Sequence, residues 1–196
     1  MGTSLHSTIS RVTTNSDQVT NLANASSLIY NSLLAFPSHF GRHQNAVNWC
    51  GQFSKQKHRS RAKIDFELGF YLDSHLFPGH QTRQDGTKKL LLGPFSGKPA
   101  CQSINIAPKP RGVCADAFIQ KRTLVVPQVE LYPGHIACDG ETKSEMVVPL
   151  TLQKENNVEQ VLGVLDLDCL AISGFNEDDK AGVENVARLI VNACDW

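Results

Sequence analysis

Three cysteines and three carboxylates in this chain have the types and the spacing for redox chemistry at sulfur. Cys138 lies in the run GHIACD at residues 134–139, in a loop between two apolar segments. Two further thiols precede it, at Cys101 and Cys114, and three carboxylates follow it in strand-like settings, at Glu145, Asp166 and Asp168. A nucleophilic thiol, two candidate resolving thiols and several acids favour thiol chemistry on a small polar substrate.

The cysteine pattern supports a catalytic rather than a structural use of sulfur. The chain has six cysteines and no export signal, so we expect reduced thiols and a catalytic or redox-sensing role for any disulfide. No C-x-x-C pair and no zinc-finger spacing occurs, so no structural metal is predicted. Cys50, Cys169 and Cys194 are interpreted as small buried hydrophobes.

The two aspartates on the last predicted strand favour a buried acid cluster. Asp166 and Asp168 are two residues apart, so their side chains project from the same face of a strand. Taken alone, such a pair is more typical of a solvated face, but the apolar neighbours Val164, Leu165 and Leu167 favour a pocket. Clustered carboxylates repel one another, which raises at least one pKa and retains a proton.

Length and charge exclude several classes of protein. The chain has 196 residues, enough for one domain with its own core, and 19 basic residues balance 19 acidic ones. Nothing therefore indicates binding to nucleic acid, and no apolar run approaches the roughly 20 residues of a membrane span. Residues 1–16 are rich in Ser and Thr and are predicted to be a disordered tail, with a weaker resemblance to an organellar transit segment. A cytoplasmic location is expected.

The order of predicted elements indicates an α+β fold. A helical pattern begins at Asn15, where Asn15 and Gln18 resemble a capping box, and a short helix is predicted at 111–118. Asn176 caps a C-terminal helix with an apolar stripe. Strands are predicted at 46–50, 70–72, 90–92, 104–106, 124–127, 146–150 and 160–166. We expect one antiparallel sheet with the terminal helices on one face, in a single domain at 17–196.

Five motifs, taken in order, resemble one family. They are LGPFSGKPAC at 92–101, RGVC at 111–114, GHIACD at 134–139, SE at 144–145 and GVLDLD at 163–168. The series resembles the free methionine-(R)-sulfoxide reductases, which are single-domain GAF proteins. The resemblance covers roughly residue 21 to the C-terminus.

The resemblance implies a thioredoxin-dependent oxidoreductase with no bound cofactor. It would reduce the R-sulfoxide of free methionine and largely ignore peptide-bound sulfoxide. Cys138 would be the nucleophile and would become a sulfenic acid. Cys101 would be the resolving thiol, with Cys114 as the alternative or as a relay, and thioredoxin would reduce the resulting disulfide.

The resemblance also implies a substrate pocket. Glu145, Asp166 and Asp168 would line it, with ionised members holding the substrate ammonium and a protonated member donating to the sulfoxide oxygen. The sequence does not decide which acid binds the ammonium and which donates to the sulfoxide oxygen. Trp49 and Tyr71 would enclose the S-methyl group, and ordinary core packing is their alternative interpretation. A basic stretch at 52–69, with little aromatic content, separates these two and is interpreted as an insertion at a hairpin tip.

Two other functions are compatible with the same residues. A GAF sensory module would bind a small molecule without turnover, but it would not need three cysteines. A redox-sensing protein would use the cysteines to change an interaction surface, but the carboxylates would have no role. The sequence does not specify the oligomeric state; the resemblance makes a homodimer one candidate, because related GAF domains often pair through their terminal helices. Substrate turnover distinguishes the three functions.

Overall fold

The computed structural model describes residues 17–34, 67–77, 86–96, 100–138, 140–155 and 158–196. These residues form three helices, six strands and two short 3-10 turns, at Ser74–Leu76 and Val129–Leu131. In chain order the helices and strands are α1 (Gln18–Leu34), β1 (Glu67–Asp73), β2 (Lys88–Ser96), β3 (Ser103–Ala107), α2 (Val113–Gln120), β4 (Leu124–Val126), β5 (Ser144–Gln153), β6 (Glu159–Cys169) and α3 (Glu177–Asn192).

The strands form one antiparallel sheet in the order β3-β2-β1-β6-β5-β4. Alternation along each strand divides the core into two layers. In β6, Leu165 and Leu167 pack with α1 and α3, whereas Val164 belongs to the layer beneath α2. The predicted α+β fold, with an antiparallel sheet and both terminal helices on one face, is confirmed. None of the described helices is long and apolar enough to cross a membrane.

The two terminal helices begin at side-chain caps. The Asn176 side chain accepts hydrogen bonds from the backbone N–H groups of Asp178 and Asp179, and the Asn176 backbone N–H donates to the Asp179 side chain at 2.9 Å. The predicted cap of α3 is therefore confirmed. At α1 the prediction is wrong. The helix begins at Gln18, and Asp17 caps it by accepting a hydrogen bond from the Thr20 backbone at 2.7 Å. Asn15 lies outside the described residues.

Strand β1 begins earlier than the sequence predicts. Glu67 is its first residue, and Leu68 and Gly69 pair with Leu167 and Asp166 of β6. The predicted insertion at 52–69 therefore overlaps the strand by three residues, and its boundary is corrected to end before Glu67. Residues 52–66 and the predicted strand at 46–50 lie outside the described residues.

Strands β1 and β6 approach too closely for a side chain at Gly163. A Cβ atom there would overlap the Tyr71 carbonyl oxygen and lie 2.8 Å from the Cα atom of Leu72. Glycine at this position lets β6 pair with β1 over six residues. This pairing positions Asp166 and Asp168 further along the same strand.

Candidate active site

A pocket opens on the α2 face of the sheet. It is bounded by the start of α2, by the loop at 127–143 and by β5 and β6, and it has an empty volume of about 390 Å³ that includes open solvent. The polar or reactive side chains along its wall are Arg111, Cys114, His135, Cys138, Thr142, Glu145, Asp166 and Asp168. The pocket therefore brings five of the predicted site residues together.

The loop that carries Cys138 is held at its base and side. The Val129 backbone N–H donates to the Lys143 carbonyl at 2.9 Å, and the Lys143 N–H donates to the Cys169 carbonyl at 2.8 Å. The Tyr132 hydroxyl donates to Asp116 of α2 at 2.6 Å. The loop is thus fixed both to the sheet and to the helix whose first turn forms the pocket wall.

Cys101 and Cys138 are joined in a disulfide. Their Cα atoms lie 5.7 Å apart, within the range of ordinary disulfides, although 37 positions separate them in the sequence. Cys138 is exposed at the pocket wall, and Cys101 is half-buried just before β3. This is the pair that the family resemblance implied, and the order of events during turnover stays a prediction.

Cys114 is the third of the predicted redox cysteines; it lines the pocket and is buried. It is the second residue of α2, which starts after Gly112, whose positive φ of 86° suits glycine. Its Sγ atom lies 3.9 Å from Oε1 of Glu145. Burial, followed by the charges of Asp166 and Glu145, raises the pKa of the Cys114 thiol well above its usual value. Cys114 therefore remains a protonated thiol near neutral pH.

Adjacent strands assemble the three carboxyl groups. Glu145 of β5 pairs with Asp168 of β6, and Asp166 pairs with Val147 and Gly69. Burial, then the charges of Asp166 and Asp168, raise the pKa of Glu145, and burial, then Asp168, raise that of Asp166. Within the described residues, Oδ1 of Asp166 is buried without a hydrogen-bond partner.

The carboxyl cluster has the geometry of a cation site. Donor atoms of Cys114, Glu145 and Asp166 lie within 4.8 Å of one another. Donors this close can hold either a metal ion or an ammonium group. Because burial and the neighbouring charges raise the pKa values of both Glu145 and Asp166, a protonated carboxyl in this pair is favoured.

Three polar side chains of the pocket wall were not predicted to have a role. The Nε2 atom of His135 lies 3.5 Å from Oε2 of Glu145, and burial lowers the pKa of the imidazole, so it is mostly neutral at pH 7. Arg111 is exposed at the pocket wall. Arg111 belongs to the RGVC motif and His135 to the GHIACD motif, and these motifs could have identified the two residues from the sequence. Thr142 lies outside every motif and gave no signal.

The remaining predicted residues lie away from the pocket or outside the described chain. Tyr71 is on the pocket face of the sheet, opposite Val164, but it is buried in the layer beneath α2 and does not line the pocket. Trp49 lies outside the described residues. Cys169 is buried in the opposite layer as predicted, whereas Cys194 is only half-buried.

The fold and the pocket define a GAF domain. A solved GAF-domain structure is 36% identical to this chain, with a TM-score of 0.68, covering 98% of this chain and 86% of its own. A reductase for free methionine-R-sulfoxide from Saccharomyces cerevisiae is 40% identical over 176 residues, covering 90% of this chain and 75% of the relative. No family model matches. The chain belongs to the free methionine-R-sulfoxide reductase family.

A solved structure from the same family gives the comparison with a bound substrate. The free methionine-R-sulfoxide reductase of Neisseria meningitidis, in complex with its substrate, is 29% identical to this chain with a TM-score of 0.64. The match covers 96% of this chain and 84% of that one.

Proposed function

We propose that this protein reduces free methionine-(R)-sulfoxide to methionine, using Cys138 as nucleophile and Cys101 as resolving thiol, with thioredoxin as the reductant. The observation that carries the proposal is the Cys101–Cys138 disulfide at the wall of a pocket with three carboxyl groups. A module that only binds a ligand would not need a disulfide at this position.

The charges of the pocket suit a free amino acid. The carboxyl cluster of Glu145, Asp166 and Asp168 provides a site for the substrate ammonium, and Arg111 provides the counter-charge for its carboxylate. A residue within a peptide has neither charge, because both groups are consumed in amide bonds. The pocket would therefore select free methionine sulfoxide over the peptide-bound form.

The first chemical step transfers the sulfoxide oxygen to Cys138. The thiolate attacks the sulfoxide sulfur, the S–O bond of the substrate breaks as an S–O bond forms at Sγ of Cys138, and the products are methionine and a cysteine sulfenic acid. The oxygen needs a proton as it leaves. Glu145 and Asp166, whose pKa values burial raises, would supply that proton near neutral pH.

The second step forms the disulfide. The Cys101 thiol attacks the sulfenic sulfur of Cys138, an S–S bond forms and water leaves. Two thiols of thioredoxin then reduce the disulfide and become oxidised themselves, so no bound cofactor is needed. Cys114 is less suited to attack, because it is buried and its raised pKa keeps it protonated. A relay from Cys138 through Cys114 is the alternative route.

The proposal is tested by following NADPH oxidation in an assay coupled to thioredoxin and thioredoxin reductase. The substrates are free methionine-(R)-sulfoxide, the free S form and a peptide-bound sulfoxide. We expect turnover of the free R form only, loss of turnover in Cys138→Ser, and normal turnover in Cys194→Ser, which is remote and half-buried. Absence of turnover by the folded, reduced protein would favour a binding module.

The resolving thiol is tested separately from the first step. With no reductant present, Cys101→Ser should complete one turnover per protein and then accumulate a sulfenic acid that dimedone traps at Cys138. Full multiple turnover by Cys101→Ser with thioredoxin would instead support resolution by Cys114.

A further inference from the structure

Thr142 presents a hydroxyl group to the pocket that has no hydrogen-bond partner in the part of the chain that the structure describes. The residue is only 5% exposed, it lines the pocket, and its Oγ1 atom has no hydrogen-bond partner among the described residues. A buried hydroxyl without a partner destabilises the free protein, because it has lost its hydrogen bonds to water. Such an atom at a pocket wall indicates a bond that a ligand completes.

The chemistry of the neighbouring groups limits which ligand atom this is. Beside a carboxyl cluster that takes the substrate ammonium, the hydroxyl can donate to an acceptor oxygen. The bound substrate offers two kinds of acceptor, its carboxylate and its sulfoxide oxygen. Arg111 is the cationic side chain of the pocket wall with a fixed charge, and a guanidinium is the better partner for a carboxylate. The sulfoxide oxygen is then the acceptor that remains for Thr142.

We propose that the Thr142 hydroxyl donates a hydrogen bond to the sulfoxide oxygen of the bound substrate. The inference rests on the proposed function and names a positioning residue within it. Thr142 follows Cys138 by four residues and precedes Glu145 by three, so one segment carries the nucleophile, the oxygen donor and an acid. When the protein fixes both the sulfoxide oxygen and the amino-acid end of the substrate, the S-methyl group can point in only one direction. This constraint contributes to selection of the R form.

The product provides the decisive comparison, because methionine keeps the ammonium and carboxylate but lacks the sulfoxide oxygen. Affinities for methionine-(R)-sulfoxide and for methionine are measured by calorimetry in a Cys138→Ser background, where no turnover occurs. Thr142→Val removes the hydroxyl at nearly constant shape, and Thr142→Ser keeps it as the matched control. We expect Thr142→Val to bind the sulfoxide about tenfold more weakly and methionine within about twofold of the parent. Thr142→Ser should stay within about threefold for both.

A stability measurement separates this role from a structural one. Because the hydroxyl has no hydrogen-bond partner within the described ranges, Thr142→Val should unfold at the same temperature as the parent or higher, although it binds the sulfoxide less well. A lower unfolding temperature in Thr142→Val would indicate a structural hydrogen bond and overturn the inference.

Two binding results would also overturn it. Equal losses for sulfoxide and methionine would place the hydroxyl at the amino-acid end of the ligand, and no loss for either would remove Thr142 from the site. If the Cys138→Ser protein binds neither molecule, the proposed function fails first. If it binds the sulfoxide and Thr142→Val binds it equally well, only the inference about Thr142 fails.

Discussion

Replacing Glu145 by glutamine should make the protein more stable and nearly inactive. The side chain is buried beside Asp166 and Asp168, and burial followed by those two charges raises its pKa above the ordinary value of 4.5. In the folded protein it therefore binds a proton that the unfolded chain releases. Above pH 4.5 this difference lowers the free energy of unfolding, increasingly so as the pH rises toward the folded-state pKa.

The size of the effect follows from the separation of the acids. Donor atoms of Glu145 and Asp166 lie within 4.8 Å. If both groups were ionised, they would repel by about 3.5 kcal/mol at an effective dielectric constant of about 20, and this value is an upper limit for the cost of proton uptake that avoids the repulsion. A buried glutamine amide with incomplete hydrogen bonding destabilises the variant by about 1 kcal/mol, which offsets part of the gain. Glu145→Gln should thus gain about 2 kcal/mol at pH 8, or about 4–8 °C in unfolding temperature for a domain of this size.

The assay is urea denaturation of the disulfide form at pH 8 and at pH 4.5, with NADPH-coupled turnover beside it. The gain in stability should be much smaller at pH 4.5, where the wild-type carboxyl is already about half protonated in the unfolded chain. Turnover should fall by about 10²–10⁴-fold, because a proton source is lost.

Glu130→Gln is the control. Glu130 is exposed and bonded to Lys143 at 2.6 Å, which lowers its pKa, so this change should lose stability at pH 8. A destabilised Glu145→Gln, or a gain that does not depend on pH, would refute the reasoning.

Three further predictions concern glycine packing and the thiols. Gly163→Ala would place Cβ 2.8 Å from a Cα atom of β1 and should cost several kcal/mol in urea denaturation, whereas Gly182→Ala, which has open space in α3, should gain about 0.5–1 kcal/mol. In the reduced protein at pH 7, iodoacetamide should modify Cys138 well before Cys114, as followed by peptide mass spectrometry, and equal rates would contradict the argument from burial. Reduction of the disulfide should lower the free energy of unfolding by up to about 4 kcal/mol for its separation of 37 residues, and Cys101→Ser should show no response to reductant.

Much of the fold was predictable because local patterns agree with the tertiary packing. The cap at Asn176 and the alternation in β6 each specify an element and also the face that it buries. The same alternation placed Asp166 and Asp168 on one face, and their spacing alone was sufficient for that prediction. Pairing with Glu145 depends on the register between β5 and β6, which no local pattern specifies.

The less predictable features depend on contacts between distant segments. Asn15 and Asp17 are both residue types that cap helices, so the sequence alone does not determine which of them caps α1. The first residue of the folded helix, Gln18, determines that Asp17 is the cap. The exposure of Thr142 and the missing partner of its hydroxyl depend on the folded loop and have no counterpart in residue type. The location in the cell, the homodimer and the role of Trp49 stay predictions.

The disulfide converts part of the chain into a covalent ring. Cys101 precedes the edge strand β3, and Cys138 lies between β4, at the opposite edge, and β5, so the ring contains β3, α2 and β4. Turnover by the proposed cycle would open and close this ring once for each substrate molecule. In the closed state, a single cut anywhere within the ring would leave both pieces of chain covalently attached, whereas after the same cut in the open state only noncovalent contacts of the sheet and core would join them. The oxidation state of two atoms thus determines whether a nicked molecule separates into two pieces on denaturation.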